Sequence, residues 1–394
     1  MKVLLISDTL HAGGAETFVL RLATKLKEFG IAAEILSLNP DVEDKALISR
    51  FPNVIIHRVF IKGLRWIKRL DRLLRIVGID FSLQYQLTKK QILEKHLHYD
   101  VYHTHLFPVD LLLSKIKELY PKIVLISTLH GDYNEFEELW QNSKAHKKLN
   151  WPVKVNLLKE KIDAWVYISQ QQYELFSKGY LLPDYKLVQI YNGYESDIMP
   201  LSRQRVHGKN ELTFIMVARG IQPKGWEYLI KAFNRLPGNH KLVLVGKGDF
   251  LENLSNVYSE NRRIEFIGFH PNPVELINEA DVFVFPSVYK AESLPTVIIE
   301  ALYCGLPVIS TRIGEVSEML KGNEAGELAG ILIEQDDQTI IDDLVEAMSL
   351  YVHDIGVWQY HASLTRHAFE KFNMKSCAKR YINLYEAHLV SDIG

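Results

Sequence analysis

Apolar segments of strand length alternate with amphipathic helical segments along almost the whole chain. KVLLIS (2–7), for example, is followed by GAETFVLRLATKLKEFG (14–30), whose apolar residues recur at helical spacing and whose end is marked by Gly30. Short strands rich in Val, Ile and Leu with intervening helices are typical of parallel sheets that are covered by helices on both faces. The alternation therefore predicts a protein of the α/β class.

The predicted strands fall into two series separated by the polar stretch GYESDIMPLSRQRVHGKN (193–210), which we interpret as an interdomain linker. The first series is KVLLIS, AAEILSL, NVIIHRV, DVYHTHL, KIVLISTLHG, AWVYIS and KLVQIYNG, and the second is ELTFIMVAR, HKLVLVG, RIEFIGF, DVFVFPS, LPVIST and AGILI. The 394 residues also exceed what one hydrophobic core usually serves. We expect two doubly wound, Rossmann-like domains, 1–195 and 196–374, that face each other across a cleft. The last amphipathic segment, 375–394, suits packing on either domain.

The composition is that of an ordinary soluble protein, with 47% hydrophobic and 24% charged residues. Its two cysteines, Cys304 and Cys377, cannot form a disulfide framework, and we expect both to be buried in a reduced, cytoplasmic protein. The first apolar run is too short for a signal peptide. No stretch approaches the roughly 20 apolar residues of a membrane-spanning helix.

The formal net charge of −2 argues against a nucleic-acid partner. The charges are nevertheless distributed unevenly along the chain. Residues 1–190 carry 27 Lys and Arg against 21 Asp and Glu, whereas residues 191–394 carry 19 against 27. The segment IKGLRWIKRLDRLLRIVG (61–78) has one acid, Asp71, and apolar residues at helical spacing. Its cations are Lys62, Arg65, Lys68, Arg69, Arg72 and Arg75. With Trp66, this pattern suits an anionic membrane surface, and an ordinary outer helix is the alternative.

Two glycine-containing loops follow predicted strands. Gly13 and Gly14 in SDTLHAGGAE allow the backbone to approach a phosphate, although the pattern is not G-x-G-x-x-G and a tight turn without a ligand fits equally well. In VARGIQPKGWEYLI (217–230), Arg219 ends a strand and Lys224 precedes a helix, an arrangement that suits a diphosphate. A solvated lysine in a turn is the alternative reading. A further glycine turn, at Gly246 and Gly248, ends the next strand.

The stretch ESLPTVIIEALYCG places Glu292 before a helix that starts near Pro295 and contains Glu300. Free N–H groups are expected at Leu294 and Thr296. Eight helical positions separate two residues by about 12 Å along the axis, whereas the carboxyl groups of retaining glycoside hydrolases are roughly 5 Å apart. We therefore expect two separate contacts to one ligand rather than a proton-transfer pair. A solvated Glu292 and a core-paired Glu300 are the alternative.

Histidines occur at the ends of two predicted strands in the first half of the chain. His103 and His105 are expected to face opposite ways along their strand, or to lie at its end, and no further metal ligands occur at suitable spacing. His130 ends the next strand and is a candidate hydrogen-bond partner for a polar substrate, with a satisfied core or turn histidine as the alternative.

Taken together, these segments resemble the retaining, nucleotide-sugar-dependent glycosyltransferases of the family-four type, which have the GT-B architecture. The matching features are GGAE, HTH, LHG, NG at 192–193, R…KG at 219–225 and ESLPTVIIEALYCGLPVIS, which carries the E-x7-E signature of that family. The resemblance covers essentially the whole chain. One departure is Ile313-Gly314, where a Gly-Gly pair is frequent in the family.

The resemblance implies a role for each matching residue. The catalytic candidates are Glu292, at the transferred sugar, His130, near the sugar or the acceptor, and Arg219 and Lys224, at the diphosphate. Glu300 would bind the ribose. The donor site would be completed by Gly13, Gly14, Gly246, Leu294, Pro295 and Thr296. The final helix is implied to return to the first domain.

The implied activity is transfer of a sugar from a nucleoside-diphosphate sugar, UDP first and GDP second, to a glycan or lipid-linked acceptor in cell-surface polysaccharide, lipopolysaccharide or glycolipid synthesis. Neither a cofactor nor a metal is expected, and the protein would lie in the cytoplasm, at the inner face of the plasma membrane if the basic segment binds there. The alternatives are another GT-B enzyme, such as a nucleotide-sugar epimerase or a phosphorylase, and a non-catalytic nucleotide-sugar or membrane-binding protein.

Overall fold

A computed structural model describes residues 1–11, 13–77, 79, 81–130, 151–179, 181–201, 211–290 and 292–390. The chain forms two compact units, one of Met1–Gly193 together with the chain from Met374 onward, and one of Tyr194–Asn373. The boundaries predicted from the sequence, 195/196 and 374/375, lie two residues and one residue after those of the structure, 193/194 and 373/374.

The first unit contains a seven-stranded sheet in the order β3-β2-β1-β4-β5-β6-β7, with all strands parallel. Its strands are β1 (Lys2–Ser7), β2 (Ala32–Ser37), β3 (Ile56–Arg58), β4 (Val101–Thr104), β5 (Val124–Thr128), β6 (Ala164–Tyr167) and β7 (Leu187–Gln189). Its α-helices among the described residues are Gly14–Glu28, Lys45–Ser49, Leu64–Ile76, Leu83–Lys95, Phe107–Lys117, Trp151–Lys161, Gln170–Glu174 and Met374–Val390.

Both faces of this sheet are covered, because alternate residues of each strand enter different cores. In β1, Val3 and Leu5 belong to one buried cluster and Leu4 and Ile6 to the other. The near-continuous apolar strands of the sequence follow from this double coverage.

The C-terminal helix Met374–Val390 forms part of the first of these cores. This helix packs on the face of the sheet that carries Val3 and Leu5 and against the helix Gly14–Glu28. Its buried residues are Met374, Cys377, Ala378, Tyr381, Leu384 and Tyr385. The sequence alone allowed this amphipathic segment to pack on either domain. This packing on the first unit also buries Cys377, which forms no disulfide.

The second unit contains a six-stranded parallel sheet in the order β10-β9-β8-β11-β12-β13. Its strands are β8 (Thr213–Val217), β9 (Lys241–Val245), β10 (Ile264–Gly268), β11 (Val282–Phe285), β12 (Val308–Thr311) and β13 (Gly330–Ile333). Its α-helices are Trp226–Asn234, Asp249–Val257, Val274–Glu279, Thr296–Tyr303, Val316–Met319, Ile340–His353 and Ile355–Glu370. The prediction of two doubly wound Rossmann-like domains is confirmed.

Each sheet reverses its strand order once, between β1 and β4 in the first unit and between β8 and β11 in the second. In open α/β sheets, ligands bind outside the carboxyl ends of the strands at such a switch point. The loops that follow these four strands carry most of the residues that the sequence singled out.

Candidate functional site

Lys224 reaches the switch point of the second sheet through a short turn after β8. It ends a 3-10 turn, Gln222–Lys224, and the next residue, Gly225, has a φ of +84° at the start of the helix Trp226–Asn234. A Cβ atom on Gly225 would clash with the carbonyl oxygen of Pro286, which follows β11. Only glycine therefore allows this turn to pack directly against the end of β11.

Lys224 forms a buried ion pair with Glu292, which lies on the loop after β11. The Lys224 side chain is 7% exposed and that of Glu292 is 10% exposed. Burial lowers the pKa of Lys224, and the nearby carboxylate of Glu292 opposes this effect. The alternative of a solvated lysine in a turn and a solvated Glu292 is therefore wrong for both residues.

The ring of Tyr289 contacts both predicted cations, Arg219 and Lys224. The Arg219 guanidinium carbon is 5.3 Å from the centre of its ring, and Nζ of Lys224 is 4.8 Å from the same centre. Arg219 is exposed, and its carbonyl oxygen accepts a 2.9 Å hydrogen bond from Nε1 of Trp226. Sequence reasoning missed Tyr289, because one aromatic residue in a polar loop has no periodicity that marks it.

The glycine turn after β9 supports the Arg219 loop through backbone contacts. The amide of Gly220 donates a 2.8 Å hydrogen bond to the carbonyl of Lys247. Gly246 lies so close to the carbonyl oxygen of Ala218 that a Cβ atom would not fit. This packing gives Gly246 a structural role whether or not it also contacts a ligand.

Glu292 is held by backbone contacts from two directions. Its amide donates a 2.9 Å hydrogen bond to the carbonyl of Tyr289, and the amide of Glu315 donates a 2.8 Å bond to the carbonyl of Ser293. Gly314, at φ +51°, packs where a Cβ atom would clash with the carbonyl oxygens of Glu292 and Ser293. The loop after β12, which has Ile313-Gly314 where a Gly-Gly pair is frequent in the family, thus fixes the position of Glu292.

The helix after Glu292 spans Thr296–Tyr303, with Pro295 at its N-cap at φ −67° and no side-chain hydrogen bond at the cap. Glu300 is half-buried in this helix, and Leu294 is buried just before it. Glu292 precedes the helix, so the spacing of about 12 Å for a continuous helix does not apply to the two glutamates. The carboxylate of Glu292 is bonded to Lys224, which fits the expectation of separate roles.

In the first unit, Gly13 is the N-cap of the helix that begins at Gly14. The carbonyl oxygen of Gly13 accepts a 2.7 Å hydrogen bond from Oγ1 of Thr17. The buried carboxylate of Glu16 lies against Gly13 and pairs with Nδ1 of His11 at 2.9 Å. Burial raises the pKa of Glu16. A carboxylate at this position does not favour a phosphate in direct contact with Gly13, in contrast to the cations of the second unit.

His103, His105 and His130 form one cluster in the first unit, in which His103 and His105 are buried and His130 is partly exposed. The rings of His103 and His105 are 4.2 Å apart, so the expectation that they face opposite ways is wrong. Side chains two positions apart on a strand point to the same face. Nδ1 of His105 lies 3.0 Å from Nε2 of His130. Burial lowers the pKa of all three residues, that of His130 to about 4, and they are therefore neutral near pH 7.

The basic segment forms the helix Leu64–Ile76, whose outer side we call the basic apolar face. Its exposed residues are Lys62, Arg65, Trp66, Lys68, Arg69, Leu70, Arg72, Leu73 and Ile76. Trp66 is 72% exposed, with the Arg69 guanidinium 5.0 Å from its ring centre. Asp71 is buried and accepts hydrogen bonds from Oγ of Ser82 and the amides of Leu83 and Gln84. The one acid of the segment is therefore turned away from this face.

Two kinds of feature do not occur in the described parts of the chain. Within them, no three His, Cys, Asp or Glu side chains are grouped so that they would hold a metal ion. None of the helices in these parts combines the length and the apolar character needed to cross a membrane.

Two parallel-sheet Rossmann-like domains of this kind define the GT-B class. The protein HepE from Anabaena, solved with UDP and glucose, has the same fold, with a TM-score of 0.72 at 18% identity over 98% of this chain and 99% of HepE. Residues 12–197 match the family model Glycosyltransferase Family 4, and residues 199–359 match Glycosyl transferases group 1. The two models together cover most of the chain, which belongs to the group 1, family-four glycosyltransferases, as the sequence resemblance predicted.

Two further relatives are more similar in sequence than HepE but match over less of this chain. An uncharacterized glycosyltransferase of Methanocaldococcus jannaschii, MJ1607, is 29% identical over 222 residues, which are 52% of this chain and 55% of that protein. The match thus spans about half the length of that relative. The O-antigen biosynthesis glycosyltransferase WclY of Escherichia coli is 24% identical over 314 residues, which are 76% of this chain and 83% of WclY.

Proposed function

We propose that the protein is a retaining glycosyltransferase that moves a sugar from a nucleoside-diphosphate sugar to a glycan or lipid-linked acceptor. The observation that carries the proposal is the convergence of Arg219 and Lys224 on Tyr289, beside Glu292, at the switch point of the second sheet. Two neighbouring cations at such a position suit the diphosphate of a donor. UDP is the first candidate for the nucleotide, because HepE has been solved with UDP and with UDP-glucose. GDP is the second.

In this proposal the second unit supplies the groups that hold the donor. Arg219 and Lys224 stabilise the charge that grows on the departing diphosphate, and the N-terminus of the helix Thr296–Tyr303 adds its partial positive charge. Glu300 binds the ribose hydroxyls. Glu292 is assigned to the transferred sugar, and His130 to the sugar or the acceptor.

The proposed reaction is a front-face displacement. The acceptor hydroxyl oxygen forms a bond to the anomeric carbon on the face from which the diphosphate leaves, and the departing phosphate oxygen takes the proton of the hydroxyl. The anomeric configuration is then retained. Glu292 is assigned to binding rather than to nucleophilic attack because its carboxylate is paired with Lys224. We propose that the reaction needs neither a metal ion nor a cofactor.

The acceptor is proposed to be a growing cell-surface glycan or its lipid-linked precursor. Two observations support this class: the name of WclY, which refers to O-antigen biosynthesis, and the basic apolar face of the first unit. Exposed Trp66, Leu70 and Leu73 beside Arg65 and Arg72 suit the interface of an anionic bilayer. We propose that this face holds the protein at the cytoplasmic membrane surface, near a lipid-linked acceptor.

A thermal-shift screen against UDP-, GDP-, ADP- and dTDP-sugars, followed by nucleotide-release assays on the hits, tests the proposal. We expect one donor to raise the unfolding temperature and to release its nucleotide, and NMR of the product to show the anomeric configuration of the donor. Consumption of phosphate would instead indicate a phosphorylase, and sugar conversion without an acceptor an epimerase. Binding without turnover would indicate a non-catalytic protein.

A further inference from the structure

Glu292 neutralises Lys224 by forming an ion pair with it. The two side chains are buried together, and both loops are fixed in place, the first by the contact of Gly225 with Pro286 and the second by the contact of Gly314 with the Glu292–Ser293 backbone. The carboxylate therefore sits on one of the two cations that would hold a diphosphate. The three charged groups, Arg219, Lys224 and Glu292, sum to a single positive charge.

A diphosphate that binds Lys224 has to take this lysine from Glu292 or to lie beside the carboxylate. In the first case Glu292 is left buried without its cation, and in the second it lies beside another anion, so both cases cost free energy. The hydroxyl groups of a sugar can donate hydrogen bonds to the released carboxylate and lower this cost. A nucleoside diphosphate lacks the transferred sugar, and its remaining hydroxyl groups are those of the ribose, which we assign to Glu300.

We infer that Glu292 makes the site discriminate between the donor and its own product. Glu292 exchanges Lys224 for the sugar hydroxyls when the nucleoside-diphosphate sugar binds. After transfer the sugar has left with the acceptor, so Glu292 returns to Lys224 and weakens the binding of the remaining nucleoside diphosphate. The inference rests on the proposed function and assigns to Glu292 a role in substrate preference and product release.

Glu292→Gln tests the inference in the full-length protein, by calorimetric titration with UDP and with UDP-glucose or with whichever nucleotide pair the screen selects. Removal of a buried negative charge beside the bound diphosphate is expected to tighten nucleoside-diphosphate binding by about tenfold or more. The affinity for the donor should gain less, since the variant loses a contact to the sugar. The dissociation constant of the nucleoside diphosphate, divided by that of the donor, is therefore expected to fall in the variant. Inhibition by the product should become stronger.

Two further variants separate charge from shape. Glu292→Asp keeps the negative charge and should keep binding of the nucleoside diphosphate weak, whereas Glu334→Gln removes an exposed carboxylate that pairs with Arg312 and should change neither affinity. Thermal unfolding of each variant shows whether it is folded. Unchanged or weaker binding of the nucleoside diphosphate to a folded Glu292→Gln variant would overturn the inference alone. If no nucleotide or nucleotide sugar binds even the wild type, the proposed donor site fails and the inference fails with it.

Discussion

Nδ1 of His103 on β4 lies 2.7 Å from the hydroxyl of Tyr385 on the C-terminal helix, 282 residues later in the chain. The other ring nitrogen of His103 lies 2.7 Å from Oγ1 of Thr128, which in turn bonds the hydroxyl of Tyr381 at 2.8 Å. The last helix is therefore joined to the centre of the first sheet by buried hydrogen bonds as well as by apolar packing.

Removal of the Tyr385 hydroxyl should destabilise the first unit. In Tyr385→Phe, Nδ1 of His103 remains buried and loses this hydrogen bond, which we expect to lower the free energy of unfolding by about 1–3 kcal/mol in urea denaturation. Tyr185→Phe, at a side chain that is 80% exposed, is the matched control and should change it by less than about 0.5 kcal/mol. Equal effects of the two variants would show that the buried bond does not stabilise the helix.

The cluster of His103, His105 and His130 predicts lower stability in mild acid. Burial holds the pKa of His103 and His105 well below the ordinary value and that of His130 at about 4, whereas the unfolded chain binds these protons near pH 6.5. The unfolded state therefore binds more protons between these values, and stability falls as the pH is lowered through this window. From pH 7.5 to 5.5 each histidine should cost about 1.4 kcal/mol of unfolding free energy.

His130→Asn serves to check this assignment. The variant should lose about 1.4 kcal/mol less than the wild type over the same pH interval, because one of the three clustered imidazoles no longer titrates. The measurement is chemical denaturation at both pH values. An unchanged pH-dependent loss in the variant would exclude His130 as a contributor.

A double-mutant cycle should reveal strong coupling between Lys224 and Glu292. Lys224→Met and Glu292→Leu each leave one buried charge without its partner, and we expect each to lower the free energy of unfolding by about 3–5 kcal/mol. The double variant should recover most of this loss without recovering nucleotide binding. The exposed pair Lys231 and Glu227 is the control cycle, with a coupling of about 0.5 kcal/mol or less. Similar coupling energies in the two cycles would contradict the prediction that the buried pair is strongly coupled.

The basic apolar face should bind anionic vesicles in a salt-dependent manner. We expect the protein to sediment with vesicles of phosphatidylglycerol and phosphatidylcholine, and Arg65→Ser with Arg72→Ser to weaken this binding roughly thirtyfold. Lys90→Ser with Lys178→Ser removes the same charge from exposed positions elsewhere on the first unit and should have little effect. Equal losses in both variants, or retention on phosphatidylcholine alone, would contradict a specific anionic contact.

Much of the fold could be predicted because parallel strands that are buried on both faces appear as short apolar runs. All thirteen strand segments of the sequence contain a strand of the structure. The side on which Met374–Val390 packs could not be read from the residues alone, since its amphipathic pattern fits any apolar surface. That packing depends on contacts such as Tyr385 with His103, which join residues far apart in sequence.

The site was only partly predictable for a similar reason. Arg219, Lys224 and Glu292 are marked by their positions at loop and helix starts, and the structure brings them together. Nothing in the sequence shows that Lys224 is paired with Glu292 or that Tyr289 contacts both cations. The carboxylate of Glu16 against Gly13 is likewise a tertiary contact that the GGAE pattern alone does not reveal.

The most direct test of the central claim is nucleotide release from the preferred donor by wild type, Lys224→Ala and Glu292→Ala. The variants should be assayed well below their unfolding temperatures, because each leaves a buried charge unpaired. The wild type should release nucleoside diphosphate together with the glycosylated acceptor, and each folded variant should be slower by about a hundredfold or more, because a group that stabilises the leaving diphosphate or holds the sugar is gone. Near-normal turnover in either folded variant would contradict the assignment of this site.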